Sequence, residues 1–204
     1  MNLRELSPFL PGGTLTLFEA WLCPFHFRII VTRPRQSKLG DFRMGPGEER
    51  SVITINGDLE PHQFALTLTH EIAHLMTFAE HGYRIRPHGP EWKRCFGYLL
   101  RQLAAIETLP LKFRRALRRH AIRPKSASVL DPELYRIILE LQGVEGQCLD
   151  HVPIGAEFVF RGLRFRKLST ARSRCECREL TSGQLYRISR MALIDDQVPS
   201  ASHG

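Results

Sequence analysis

Three neighbouring residues have the types and spacing of a hydrolytic metal centre: His70, Glu71 and His74, within His70-Glu71-Ile72-Ala73-His74. On a helix, positions i and i+4 are neighbours on one face. Both imidazoles can therefore reach one zinc ion, at about 2.0–2.1 Å each. Glu71 lies about 100° around the helix from His70. It can face a water at the metal without occupying a coordination position. Two ligands and one general base on a single turn is the arrangement that zinc peptidases use.

A catalytic zinc takes three protein ligands and keeps one position open. Downstream, the candidates are His81, His88 and Glu91. His81 stands near the end of the same helix, too close to swing back easily. His88 opens His88-Gly89-Pro90-Glu91-Trp92, and an antiparallel return of the chain brings it to the metal. Glu91 is the carboxylate alternative. In the first turn of the next helix it is equally well explained by the helix dipole.

The elements that must hold these residues follow from periodicity. Phe64, Leu68, Ile72, Leu75 and Met76 recur at three- and four-residue spacings, which places the motif on a helix. Pro61 suits its first turn, and His81-Gly82 ends it. A second helix opens at Gly89-Pro90 with Trp92, Phe96, Leu99, Leu100 and Leu103 on one face. Upstream, Thr14 caps a short helix over residues 15–23. Phe27–Thr32, residues 38–43 and Ser51–Asn56 read as three short strands joined by turns, which predicts an antiparallel sheet.

The rest of the chain differs in charge. Residues 1–100 hold 11 Lys+Arg and 10 Asp+Glu, a net of +1; residues 101–204 hold 18 and 11, a net of +7. Residues 109–125 contain seven basic residues and no acidic one. Residues 134–141 read as a short helix. Beyond Gly146 the pattern is strand-like, with two candidate hairpins. Arg161, Arg164, Arg166, Lys167, Arg172 and Arg174 lie there, interleaved with Phe158, Phe160, Phe165 and Tyr186. A basic sheet with aromatics can track a phosphate backbone and stack bases; the alternative is a solvated face above an aromatic core. Phosphate binding predicts a steep loss of affinity with salt, and exposed rings predict a preference for single-stranded or distorted DNA.

Composition excludes several classes. With 43% hydrophobic and 25% charged residues, 204 residues suit a globular domain plus a small module rather than a disordered or fibrous chain. Five scattered cysteines are not a disulfide framework, so a reducing, cytoplasmic location is expected. The apolar stretch 15–31 is broken by Glu19, Pro24, His26 and Arg28, which argues against a membrane span or a signal peptide.

His70-Glu71-Ile72-Ala73-His74-Leu75 followed by His88-Gly89-Pro90-Glu91-Trp92-Lys93 resembles the SprT-like metallopeptidases. The upstream text agrees: residues 35–43 (RQSKLGDFR), the strand ending Ile55-Asn56, and residues 64–70 (FALTLTH). The resemblance covers about residues 15–105. It implies that His70, His74 and His88 bind one catalytic zinc and that Glu71 is the catalytic acid/base. It also implies association with DNA, since one member of the family cleaves proteins crosslinked to DNA. Many relatives end in a four-cysteine zinc ribbon. Here the second half offers only Cys148, Cys175 and Cys177, with His151 as a possible fourth ligand, so no second, structural zinc is expected; Cys175 and Cys177 read equally as apolar fillers on one face of a strand.

The expected architecture is α+β: a zincin-like domain over residues 1–125, with a small antiparallel sheet packed on helices, then a basic β-rich module over 126–198 and a loose tail over 199–204. The expected activity is zinc-dependent cleavage of protein substrates bound or crosslinked to DNA. Two alternatives remain: a non-catalytic nucleic-acid-binding protein with a structural metal, and a peptidase with no nucleic-acid role. Glu71 argues against the first, because a structural site needs no such carboxylate. The basic second half argues against the other.

Overall fold

The computed structural model describes residues 3–35, 37–44, 51–126, 131–143 and 146–197; the tail expected over 199–204 lies outside the described residues. The chain forms two compact units, residues 1–142 and 143–204. It is an α+β protein with one sheet in each unit. Among the described residues, no helix is long and apolar enough to cross a membrane.

In the first unit a 3-10 helix (Leu3–Phe9) and α1 (Leu15–Leu22) precede three strands, β1 (Phe27–Thr32), β2 (Gly40–Arg43) and β3 (Ser51–Asn56). Four helices follow: α2 (Pro61–His81), α3 (Pro90–Leu103), α4 (Leu111–His120) and α5 (Pro132–Leu141). Thr14 does not cap α1 through its side chain; its hydroxyl donates back to the Pro11 carbonyl at 2.7 Å. The long helix α2 is anchored better. The Glu60 carboxylate accepts from the backbone N–H groups of His62 (3.0 Å) and Gln63 (3.2 Å), two donors that the helix itself leaves unpaired. Gly82 ends α2 at φ 67°, a left-handed conformation that favours glycine.

The first sheet departs from the antiparallel expectation. Its order is β1-β3-β2, with β1 parallel to β3 and β2 antiparallel to β3. The residues explain why β3 takes the centre: Ile53 and Ile55 are fully buried, as is Asn56 at its end, whereas no β2 residue is. A strand buried this way needs a neighbour on each side. β2 therefore becomes an edge, and that edge lies against the motif helix.

The boundary between the units also differs from the expected one. Helix α5, expected in the second module, belongs to the first unit. Its Leu134, Ile137 and Ile138 join the core that contains Phe113, Ala116 and Leu117 of α4. Asp131 starts it by accepting the Leu134 N–H (3.2 Å), and the same carboxylate meets Nδ1 of His120 at the end of α4 (2.7 Å). A ten-residue helix with one apolar stripe must bury that stripe somewhere, and α4 supplies the complementary face.

The second unit is an antiparallel sheet ordered β7-β6-β5-β4-β8, formed by β4 (Glu157–Phe160), β5 (Leu163–Thr170), β6 (Arg174–Glu179), β7 (Leu185–Ser189) and β8 (Asp196–Gln197). The β4–β5 turn is Arg161-Gly162, both at positive φ (52° and 75°), as a tight two-residue hairpin requires. Phe158, Phe165, Cys175, Cys177 and Ile188 fill its core. The two cysteines alternate inward on β6 as apolar fillers, and burial pushes the Cys177 thiol up to about 11.

If α5 completes the first core, Ile138→Ala should cost about 2–4 kcal/mol. Trp21 and Trp92 both lie in the first unit, so denaturant unfolding followed by tryptophan fluorescence reads that loss directly. A transition unchanged from the parent would return α5 to the second module.

Candidate metal centre

Helix α2 presents His70 and His74 one turn apart, and the chain returns after Gly82 to deliver His88. The backbone bends sharply there. His88 adopts φ 60°, unusual for a residue with a Cβ, and the Gly89 N–H closes the bend on the Arg86 carbonyl (2.9 Å). The result is a triangle: the Nε2 atoms of His70, His74 and His88 are 3.1 Å from one another along every side. Three imidazole nitrogens this close cannot all satisfy one another as donors and acceptors. A tetrahedral ion at about 2.0–2.1 Å from each ligand spaces them about 3.3 Å apart, so the triangle fits such an ion closely. Among the described residues these three form the one group able to hold a metal. His81 and Glu91 are outside it; His81 ends α2 and Glu91 sits in the first turn of α3.

An aromatic wall fixes the rings. Trp92, 1% exposed, packs against all three, with centroid separations of 4.7 Å to His70, 5.2 Å to His74 and 4.7 Å to His88. Phe96 meets the edge of His70 (5.5 Å) and Phe42 stacks over His74 (6.5 Å, 4°). Trp92 Nε1 is the one buried side-chain polar atom without a partner among the described residues. That unpaired N–H is the cost of pressing an indole against three imidazoles. Burial, followed by the neighbouring imidazoles, lowers His70 to about 3 and His74 to about 4. Burial also lowers His88. All three are therefore neutral at physiological pH, with lone pairs free for a cation.

Glu71 is 6% exposed. Burial raises its carboxyl to about 8, and Asp41 adds to the rise; Arg35, Lys38 and the Phe42 backbone N–H oppose it. Edge strand β2 runs close beside this carboxylate because Gly40 has no side chain. A Cβ there would stand 2.7 Å from Glu71 Oε1 and 2.8 Å from Thr67 Cγ2. Asn56 holds the approach to β2. Its amide donates to the carbonyls of Arg35 (3.0 Å) and Lys38 (3.1 Å), and its oxygen accepts from Arg35 Nε (2.8 Å).

Two cavities share His70, Glu71 and Gly40. One, of about 610 Å³, also contains His74, His88, Phe42 and Trp92. The other, of about 510 Å³, extends to His120, Lys125 and Tyr135 at the ends of α4 and α5. Sequence spacing gave no reason to connect position 120 or 135 with position 71. Gly40, in contrast, carried a readable signal, since a glycine inside a short strand marks a close approach.

The candidate phosphate-facing residues of the second unit are scattered in role. Arg161, Arg164, Arg166, Arg172 and Arg174 are exposed. Arg164 and Arg166 both pair with Glu157, at 2.9 and 2.6 Å, while Arg174 donates to the Arg187 carbonyl (3.1 Å) and Arg161 lies over the Phe160 ring. Lys167 is a correction: it is 2% exposed, and its Nζ donates to the carbonyls of Leu149 (3.0 Å), Asp150 (3.3 Å) and Val152 (2.7 Å). It ties a turn to the sheet and does not face solvent. A buried ammonium needs such acceptors, and alternation along β5 puts position 167 on the inner face with Phe165.

Residues 37–107 match the model of the SprT-like family, the family whose motifs the sequence resembles. The match spans β2, β3, α2 and α3, and so includes His70, Glu71, His74 and His88. No match was found among curated proteins or among solved structures.

Replacing His88 by Ala should remove one corner of the triangle and cut bound zinc sharply, whereas Glu91→Ala should leave zinc content at the parent value. Metal analysis of the purified proteins decides between the two residues.

Proposed function

We propose that the first unit is a zinc-dependent endopeptidase with a zincin-like catalytic architecture, and that His70, His74 and His88 hold its ion. The observation that carries this reading is the coexistence of the histidine triangle with Glu71, a buried carboxylate one residue from a ligand and outside the triangle. The SprT-like match supports the same reading, because that family is peptidase-related and zinc-associated. When bound, zinc supplies a Lewis acid that polarises a carbonyl and acidifies water. Glu71 accepts the water proton and delivers it to the departing amine. Its raised affinity for protons suits the second task, and the nearby positive charge of an ion would ease the first. Trp92 and Phe96 keep bulk water from the ligand side, and the Phe42 N–H holds the Glu71 carboxylate in place.

The nucleic-acid side of the reading rests on cations that have no other task. Lys93, Arg94, Arg101 and Arg123 line a groove of about 610 Å³ in the first unit, with no acidic residue among its lining. None of the four side chains makes a hydrogen bond or ion pair among the described residues. They fit a phosphate backbone better than Arg164 and Arg166, whose charges Glu157 already meets. We propose that DNA, single-stranded or distorted, is held there while a protein attached to it is cut. The exposed arginines Arg161, Arg172 and Arg174 of the second unit are secondary contacts in this reading, and the setting is cytoplasmic.

Glu71→Gln should retain zinc and fold yet lose cleavage of an unfolded protein by about 10²-fold or more; a variant as fast as the parent would sink the mechanism. The same substitution has a signature without metal. A carboxyl raised to about 8 in the folded chain, above its ordinary 4.5, stabilises the fold in acid and loses that contribution as pH rises from about 4.5 through 8. The three lowered histidines act in the opposite sense up to about 6.5 and are common to both proteins. The stability difference between metal-free parent and Glu71→Gln should therefore move steadily in the variant's favour as pH rises from about 4.5 through 8, read by urea titration at each pH.

Phosphate contacts make DNA affinity fall with salt by about one log–log unit per contact. Charge reversal at Arg94, Arg101 and Arg123 together should weaken single-strand binding and flatten that slope, with more effect than reversal at Arg164, Arg166 and Arg174. Equal effects would move the site back to the second unit.

A further inference from the structure

His120 is a buried ionisable side chain that the chemistry above leaves unused. It closes α4, and its side chain is 1% exposed. Nδ1 stands 2.7 Å from Asp131 Oδ2, and the other Asp131 oxygen accepts the Leu134 N–H at 3.2 Å. Burial pushes the Asp131 carboxyl up, yet the hydrogen bonds from His120 and Leu134, with neighbouring positive charge, more than offset it and leave it below its ordinary value. An ionised carboxylate only accepts, so Nδ1 carries the proton of this bond. Nε2 has no partner among the described residues, and it is not sealed off either, since Trp92 Nε1 is the one buried unpaired side-chain atom there. The ring therefore opens at Nε2, onto the cavity of about 510 Å³ that it lines together with Glu71 and His70. Phe96 links the two sides, 5.5 Å from His70 and 6.0 Å from His120. The charge of His120 also reaches His70, where it adds to burial, His74 and His88 in lowering that imidazole. The two lysines lining this cavity are engaged: Lys38 with Asp41 at 3.0 Å, and Lys125 beside the Asp131 carboxylate.

Resting on the peptidase reading above, we propose that His120 is a second catalytic side chain: its Nε2–H donates to the scissile carbonyl oxygen as that oxygen gains charge, with Asp131 as its positioning residue. Attack of water turns a peptide carbonyl from a weak acceptor into an oxyanion. A donor fixed in advance at that oxygen stabilises the transition state more than the bound substrate. His120 meets the requirement because its ring is already held at Nδ1 by a carboxylate, so little order is gained when substrate binds. A protonated imidazole donates at both nitrogens, and the ionised Asp131 offsets its charge within the core. The donation transfers no proton: the hydrogen stays on Nε2, and Glu71 alone carries the proton from water to amine. Both His120 and Asp131 lie beyond the family-matching segment 37–107, so α4 and α5 supply this side of the site.

The test separates the two nitrogens of the ring, using the zinc-loaded full chain and a peptide taken from a cleaved unfolded protein. The amide of Asn reaches about as far as Nδ1 and that of Gln about as far as Nε2. His120→Asn therefore keeps a donor for Asp131 and removes the one facing the cavity; His120→Gln does the reverse. His120→Asn should hold zinc content and the urea midpoint near the parent's, while kcat falls about 10²-fold and KM changes little. Its affinity for a phosphinic analogue of the same peptide, whose tetrahedral group mimics the charged oxygen, should fall by a similar factor. His120→Gln should be the less stable variant and yet about tenfold faster than His120→Asn. Parent-like kcat and analogue affinity in His120→Asn would make His120 a tether between α4 and α5 and overturn the proposal, leaving the peptidase standing. A His120→Gln variant no faster than His120→Asn would assign the loss to ring packing and overturn it as well. A zinc-loaded parent that cleaves no polypeptide overturns the peptidase reading, and the role of His120 with it.

Discussion

Burying a carboxylate beside three imidazoles is the constraint from which the rest of the first unit follows. Taking charged groups out of water is expensive unless they are paired or neutralised. In the metal-free chain they are neutralised: the histidines hold their protons poorly, and Glu71 holds its own well above the usual carboxylate range. The charge state that burial forces is also the state that receives a cation. Three neutral nitrogens offer lone pairs, and a carboxyl that holds its proton tightly stands beside them. Trp92 is pressed against all three rings even though its own N–H goes unpaired. Packing against the ligands outweighs one lost hydrogen bond.

The surrounding elements serve that burial. α2 is buried on most of its circumference, with Phe64, Leu68 and Ile72 in the core near the motif, so its register cannot slip without exposing apolar surface. β2 approaches Glu71 only because Gly40 lacks a side chain. Asn56, itself 2% exposed, fixes the chain leading to β2 through the carbonyls of Arg35 and Lys38. The segments that carry the family resemblance are therefore physically one unit: residues 35–43, the end of β3 and the motif helix meet through Asn56 and Gly40.

Charge is used differently in the two halves. In the second unit, Glu157 and Asp150 meet Arg164, Arg166 and Arg190, and Lys167 is turned inward onto backbone carbonyls. Much of that unit's basic composition is thus structural. In the first unit, the α3–α4 groove gathers four cations with no acid among the residues lining it. Of the net +7 beyond residue 100, residues 101–142 hold +5 and residues 143–204 only +2, so most of the excess found by halving the sequence belongs to the first unit.

The histidine cluster and its neighbouring carboxylate were legible in the sequence because helical geometry is local. Residues four apart share a face whatever the fold, so His70, Glu71 and His74 could be read directly, and His88 followed from a chain return over a short loop. Strand existence was legible for the same reason: β1 runs over the β-branched, apolar Phe27–Thr32 and β3 over the alternating Ser51–Asn56. What tertiary structure alone decided is everything that depends on which surface meets which. Strand order placed β3 between β1 and β2 and made the sheet mixed. The stripe Leu134, Ile137 and Ile138 joined α5 to the first core, 60 residues and more beyond the motif it helps enclose. The inward face of β5 claimed Lys167. Periodicity specifies that a face is apolar or charged; the partner that covers it is chosen by long-range packing, which no local spacing encodes.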